Sequence, residues 1–460
     1  MRALVALPLC APRFACPGLR CLALGLAIVP WFAAQASTPD QPPSRTAAEL
    51  LKTFAIDQSH WDQLADGRPL FDDELAVLMR CLFRSSQLPL AEVQRLAEQR
   101  TDLRTLQASP AKCRGEFFHL QGRLRAVELQ LVPPDLKRAF DLAQYYRCRL
   151  DDQRLGPVVV YAREVPRQWH DGGRMNEPSG ALAMFLKRLP DSSASPHAPG
   201  PSDKTAALPA FVSSRVAWYP DNLLGQLGMD VGLLDTVLNR TEITGEEREA
   251  FYQMLAAVGR AQSGQLLAAA QSELRQQGQS SCSVVPLFNQ ADDQLGRLVV
   301  LDGVARRAIK VVVDQPDLVA RFGFDHYYEL GLFTDDSQGN PLIFCVRRLP
   351  PGMPPGDSGS YAYRVRVAGF FFKTWAYRSG EALASDKASA RGRQLAPLLI
   401  GDEPRLELQA PLPRDPLGQA LLIGLFLLGA AAATWAVWRT SRPKRRPPPP
   451  TTEVKPRFDF

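Results

Sequence analysis

Apolar positions follow two periods in turn along this chain. Leu75, Leu78, Leu82 and Phe83 recur at helical spacing after Asp72, and Phe251, Met254, Leu255 and Val258 repeat that spacing much further on. Thr244, with Glu247 three residues later, has the form of a capping box ahead of the second stripe. A further amphipathic stretch follows each, over 90–99 and 264–276. The opposite faces are polar, which predicts helices packed on a neighbouring sheet. The pattern then shortens to strands. In the first half the predicted strands run over 117–131, 145–150, 158–163, 181–187 and 211–218; in the second, over 297–313, 327–333, 342–347, 363–373 and 394–400. Pro134 and Pro316 break the chain after the long first strand, and Gly122 falls where a bend or bulge is expected within it.

The two halves are copies. Leu120–Gln121–Gly122 is answered by Leu301–Asp302–Gly303, Pro134–Asp135–Leu136 by Pro316–Asp317–Leu318, and Tyr145–Tyr146 by Tyr327–Tyr328. The offset grows from 181 at the glycines to 186 at Lys187/Lys373, as small loop insertions would produce. A repeat of about 180 residues is far longer than a solenoid unit of about 20–50 residues, so each copy must bury its own core.

Five strands, the first long and bent at a glycine, resemble a small closed barrel of the oligonucleotide/oligosaccharide-binding (OB) fold. The resemblance rests on strand count and shape over roughly 100 residues per copy. It departs from that fold in having its helices ahead of the strands and none between the third and fourth. An SH3-like barrel or an open sheet capped by helices is the alternative. The expected fold class is therefore α+β: two tandem copies of a helical segment followed by a five-stranded barrel, over 47–220 and 221–403, plus one C-terminal membrane helix. The layout also resembles secreted bacterial proteins that end in a single membrane helix, a resemblance that implies no activity.

The ends of the chain set the expected compartment. Residues 1–36 carry Arg2, Arg13 and Arg20, an apolar run from Cys21 to Phe32 and Ala34–Gln35–Ala36, the layout of a secretory signal. Residues 37–46 read as a disordered lead-in, 191–209 as a flexible Ser/Pro/Ala-rich insertion in copy one, and 404–416 as a proline-spaced stalk. Residues 417–438 contain no charge, and at about 1.5 Å per residue this run reaches across a hydrocarbon layer of about 30 Å. Trp435 and Trp438 stand at its end, followed by Arg439, Arg442, Lys444, Arg445 and Arg446. Basic flanks stay cytoplasmic, so the expected topology is type I: the copies outside the cytoplasm, a bilayer contact through 417–438, and a basic Pro-rich tail over 439–460 inside. With several of the basic groups in the signal and tail, the net charge of +6 leaves the copies not strongly polarised, which argues against a nucleic-acid partner.

Candidate chemistry is sparse. Five cysteines follow the signal (Cys81, Cys113, Cys148, Cys282, Cys345) at positions that do not match between copies, so single buried thiols are expected rather than a shared disulfide or metal framework. None of the five histidines recurs in the other copy. No phosphate-binding loop, nucleophile elbow, zinc motif or dinucleotide glycine pattern is present, so no catalytic residue, metal or cofactor is expected. The candidate ligand-binding residues are aromatic. The tyrosine pairs Tyr145/Tyr146 and Tyr327/Tyr328 point to opposite strand faces. Phe370 and Phe372, beside Lys373, would form a stacking platform if their face stayed open, and part of the core if helices covered it. The expected role is a non-catalytic binding or scaffolding module for an envelope protein or glycan. A hydrolase with its site between the copies, or nucleic-acid or oligosaccharide binding through the barrels, is the alternative.

Overall fold

A stripe of buried side chains turns the first helical pattern into Asp72–Ser85 (α1), with Val77, Leu78, Cys81 and Leu82 facing inward. Asp72, Asp73 and Glu74 fill its first turn, where acids favour the helix dipole. Leu90–Gln99 (α2) follows. The computed structural model describes residues 45–99, 103–190, 207–279, 281–378, 393–407 and 427–435. Copy one then continues through strands Phe117–Leu131 (β1), Gln144–Asp152 (β2), Gly156–Glu164 (β3), Gly173–Leu189 (β4), Leu208–Arg215 (β5) and Ala217–Trp218 (β6). The helix Pro134–Phe140 (α3) sits between β1 and β2, so the proline that ends the strand also starts a helix, at the position where its missing N–H costs nothing.

Copy two repeats the order. Arg248–Gly259 (α4) and Gln265–Gln276 (α5) lead into Leu298–Val312 (β7), Pro316–Phe322 (α6), His326–Phe333 (β8), Leu342–Val346 (β9), Tyr363–Arg378 (β10), Arg393–Gly401 (β11) and Arg405–Leu406 (β12). Each copy holds a six-stranded sheet rather than the five strands expected, because a two-residue strand joins the edge: β6 pairs with β4 through Ser179 and Gly180, and β12 with β10 through Val365 and Arg366. The pairing maps are the same. In copy one β1 bonds β2, β2 bonds β3, β3 bonds β5 in parallel, β5 bonds β4, and β4 bonds β1. In copy two the order is β7, β8, β9, β11 (again parallel to β9), β10 and back to β7.

The irregularities repeat as well. The register of β1 against β2 shifts between Leu124 and Ala126, and that of β7 against β8 between Ala305 and Arg307. A second shift falls between Phe185 and Lys187 in β4 and between Phe371 and Lys373 in β10. The bulge in the long strand therefore lies just beyond the glycine, not at it. A Cβ on Gly122 would stand 1.8 Å from the Asp151 carbonyl oxygen, and one on Gly303 2.5 Å from that of Phe333. Close approach of the neighbouring backbone is what demands glycine at both positions.

Strands β3 and β9 and the middle portions of β4, β5, β10 and β11 bury both faces. Along β3, Val158, Val160 and Ala162 belong to the core enclosed by the strands, together with Leu124, Cys148 and Phe211. Val159 and Tyr161 belong to the core shared with α1 and α2. Copy two divides in the same way, with Phe344, Phe371 and Leu399 on the enclosed side and Phe251, Phe370, Phe372 and Ile400 on the helix side. Double burial explains why these strands read as continuous apolar runs rather than alternating ones.

Two predicted segments are shorter than expected. Leu208, placed in the flexible insertion, opens β5, and Arg405, placed in the stalk, opens β12. The signal, most of the lead-in, most of the insertion, the rest of the stalk and the tail lie outside the described residues, as do 417–426 and 436–438 of the uncharged run. Residues 427–435 are helical, and among the described residues no helix is long and apolar enough to cross a membrane. Of the cysteines after residue 36, Cys81, Cys113, Cys148 and Cys345 are buried and Cys282 is half-buried.

Candidate functional site

The aromatic candidates are built into the cores. Phe370 and Phe372 are buried on the helix side of β10, where Phe251 of α4 meets Phe372 edge-on at 5.6 Å. No stacking platform opens there, because α4 covers the face that would have carried it. Each tyrosine pair divides between faces as strand geometry requires. Tyr145 packs on the helix side, 6.1 Å from Tyr161, while Tyr146 enters the enclosed core and stacks on His170 at 5.6 Å. Tyr327 meets Phe251 edge-on, and Tyr328 lies half-buried against His326. Burial raises the phenol pKa of Tyr145, Tyr146 and Tyr327.

Lys373 is fully buried and has a specific partner. Its Nζ donates to both carboxylate oxygens of Glu247, at 2.7 and 2.9 Å, to Thr241 Oγ1 at 2.9 Å and to the Glu242 carbonyl at 3.2 Å. Lys187 repeats the arrangement: its Nζ donates to both oxygens of Glu74 at 2.7 Å and to the Pro69 carbonyl at 3.4 Å. The second bulge places both lysines, each the residue just after the register shift. The glutamates are matched in detail. Glu74 accepts from the amides of Ala65 and Phe71, and Glu247 from those of Leu238 and Thr244. The last of these bonds is the carboxylate half of the expected capping box. Burial lowers the Lys373 pKa, against the opposing pull of Glu247. A lysine buried in this way with a fully bonded carboxylate fixes a helix start to a sheet; it has no donor left for a ligand.

Open, polar ground is found in clefts. In copy one a cleft of about 290 Å³ is lined by Glu98, His119, Gln121, Asp152 and Arg154. Asp152 spends its carboxylate on the amides of Gln121, Arg154 and Leu155, which braces the β2–β3 turn. Burial, and then Arg154, hold the His119 pKa down. In copy two a larger cleft of about 360 Å³ lies between the start of α5 and the β10–β12 edge. Arg366 and Arg405 flank it, and Asp402 and Glu403 stand among its walls. Asp402 is only 4 % exposed. Its Oδ2 accepts from Arg348 at 2.5 Å, whereas its Oδ1, also buried, accepts from no group. Burial raises the Asp402 pKa, and Arg348 pulls it back.

Neither His326 nor His170 is among the residues that line these two clefts. His326 contacts its sequence neighbour Asp325 at 2.6 Å, and His170 approaches the Val165 carbonyl at 3.2 Å. Among the described residues no group of acids, histidines and cysteines is arranged to hold a metal ion. The sequence reading missed Asp402, Arg366 and Glu74, and it placed Glu247 in a capping box without seeing its pairing with Lys373. The one signal available for the glutamates was the lysine itself: a cation inside an apolar strand has to find an anion. No protein-family model matches the chain, and no curated protein is similar to it.

Proposed function

We infer that this chain is a non-catalytic, membrane-tethered binding module of the cell envelope, made of two OB-type barrels. The cyclic strand order with one parallel closing pair supports the barrel reading over an SH3-like one, since OB barrels close in that way. The observation that carries the binding role is the contrast between shared and unshared polar groups. The copies share a buried lysine–glutamate joint that is saturated by its own partners, while their clefts are lined differently: by Glu98, His119 and Arg154 in copy one and by Arg366, Asp402, Glu403 and Arg405 in copy two. Saturated groups hold a fold together; charged cleft linings that differ between the copies suit a ligand. The uncharged run at 417–438 with its basic flank supports the tether and the outward placement of both copies.

Full-length protein in detergent, immobilised and exposed to separate glycan and peptide fractions of the envelope, tests this reading. The expected result is retention of one fraction and its recovery chemically unaltered. Failure to retain either fraction, or release of cleaved material, contradicts it. Protease added to intact cells is expected to digest 46–407 while sparing the tail; protection of both copies contradicts the tether.

A further inference from the structure

The larger cleft of copy two stands where copy one is covered by its own chain. Register sets the equivalence. Gly122 pairs with Ser179, which pairs with Trp218; Gly303 pairs with Val365, which pairs with Leu406. Trp218 therefore matches Leu406, and Gly180 matches Arg366. Arg215 and Glu403, each three residues before that tryptophan or leucine, match as well. Pro166 and Pro350 end the matched runs 157–166 and 341–350. Pro350, Arg366, Glu403 and Leu406 line the cleft. Their counterparts in copy one meet residues 219–232, a strap that leads into copy two. A Cβ on Gly180 would stand 3.2 Å from the Tyr219 ring, and one on Gly232 2.7 Å from Pro166 Cγ. Asp230 of the strap is 2 % exposed, accepts from the Trp218 amide at 2.9 Å and has Arg215 Nε 3.0 Å from its Oδ2. The same ground is filled by a peptide segment in one copy and open in the other.

We propose that this cleft is a peptide-binding groove, and that its occupant is a segment of a partner protein carrying a lysine or arginine among apolar residues. Charge selects the basic residue. Where the strap brings Asp230 to Arg215, the cleft presents Glu403 instead, so the matching residue of the occupant is a cation. Glu403 is 27 % exposed, and its ion pair with Arg348 is long at 3.9 Å, because Arg348 lies closer to Asp402 at 2.5 Å. Leu266, Leu267 and Leu406 supply the apolar contact, and a volume of about 360 Å³ takes a short stretch of such a segment. Arg366, held by Asp302 at 2.5 Å and by Glu407 at 3.4 Å, stands where Gly180 leaves room for the Tyr219 ring, so the occupant carries no ring at that point. A second copy of this chain fits poorly. Asp57 precedes Asp230 by 173 residues, the separation of Glu74 and Glu247, and both aspartates are N-caps. In a head-to-tail pair Asp57 would take the place of Asp230, and its carboxylate would meet Glu403. One site per chain is expected.

This assignment rests on the binding reading above and can fail without it. The probes are two labelled synthetic peptides of strap residues 221–232, one with Asp230 kept and one with Asp230→Lys; both begin after Tyr219. Fluorescence anisotropy measures their binding to the full-length protein in detergent. The lysine peptide is expected to bind with a stoichiometry of one and about 10-fold more tightly than the aspartate peptide, the scale of one charge pair. Glu403→Lys in the protein is expected to reverse that order, which a merely structural role for Glu403 would not do. The two peptides on the unaltered protein decide the matter even if the variant folds poorly. Equal binding of the two, or binding of neither, overturns the assignment. Preference for the aspartate peptide gives the groove to a second copy through Asp57, and binding that emerges only with Arg414→Ala gives it to the chain's own residues after Glu407; either result also overturns it. If neither peptide binds while an envelope fraction is still retained, only this assignment falls; if nothing is retained, the binding reading falls with it.

Discussion

The helix–sheet joint and the cleft behave oppositely across the duplication. At the joint, copy one and copy two use the same bulge, the same lysine, and a glutamate that accepts from two amides upstream of its helix. At the clefts they share almost nothing: a histidine and an arginine beside a helix end in one, an aspartate paired with Arg348 beside a helix start in the other. A buried ion pair cannot lose one member without leaving a desolvated charge behind, so both members are held together. A cleft has no such constraint. The difference teaches where to look in a duplicated fold: what both copies keep is framework, and what one copy alone displays is a candidate for binding.

The largest effect is expected from breaking the joint. Lys373→Ala, or Lys187→Ala, should each destabilise the protein by about 3–5 kcal/mol in urea unfolding, because the partner glutamate stays buried without its counter-ion. Replacing both members of a pair, as in Lys373→Met with Glu247→Leu, should recover most of that loss. If the joints are equivalent, the two copies respond alike. A smaller and unequal effect is expected at the glycines. Added Cβ atoms overpack by about 1–3 kcal/mol in general. Gly122→Ala should cost more than Gly303→Ala, because its Cβ meets a carbonyl oxygen at 1.8 Å rather than 2.5 Å.

The cleft gives a pH signature. The folded-state pKa of Asp402 lies above its ordinary value because of burial. The folded state then binds the proton more tightly than the unfolded one, so this group's contribution to stability falls as pH rises from the ordinary carboxylate range through the raised value. Asp402→Asn should flatten that part of a stability–pH curve. The smallest effect is expected at Leu131, which is 76 % exposed; Leu131→Ala should stay within about 0.5 kcal/mol of the parent in the same urea assay.

Much of the framework was legible in the sequence. The long strand read over 117–131 coincides with Phe117–Leu131, because its length and flanking proline define it. The two-residue strands β6 and β12 carry no period to read, and β5 begins inside a segment whose composition suggests a loop. The aromatic run at 370–372 could be an open platform or core, because strand alternation says which residues share a face but not which faces are covered; α4 covers this one. Lys187 and Lys373 stood out as shared positions. The partner of Lys187 did not, being an unremarked first-turn acid 113 residues earlier in the chain. Asp402 has no sequence signature: its role depends on Arg348 taking one oxygen and burial isolating the other.

A double-mutant cycle on Lys373 and Glu247, run beside one on Lys187 and Glu74 by urea unfolding of the full-length protein, tests most directly whether the shared lysines are joints. Favourable coupling of about 2–3 kcal/mol, equal in both copies, is expected for contacting buried charges. Additive losses in either copy would show that the lysine and glutamate do not act on one another, and the division between shared framework and unshared site would not hold.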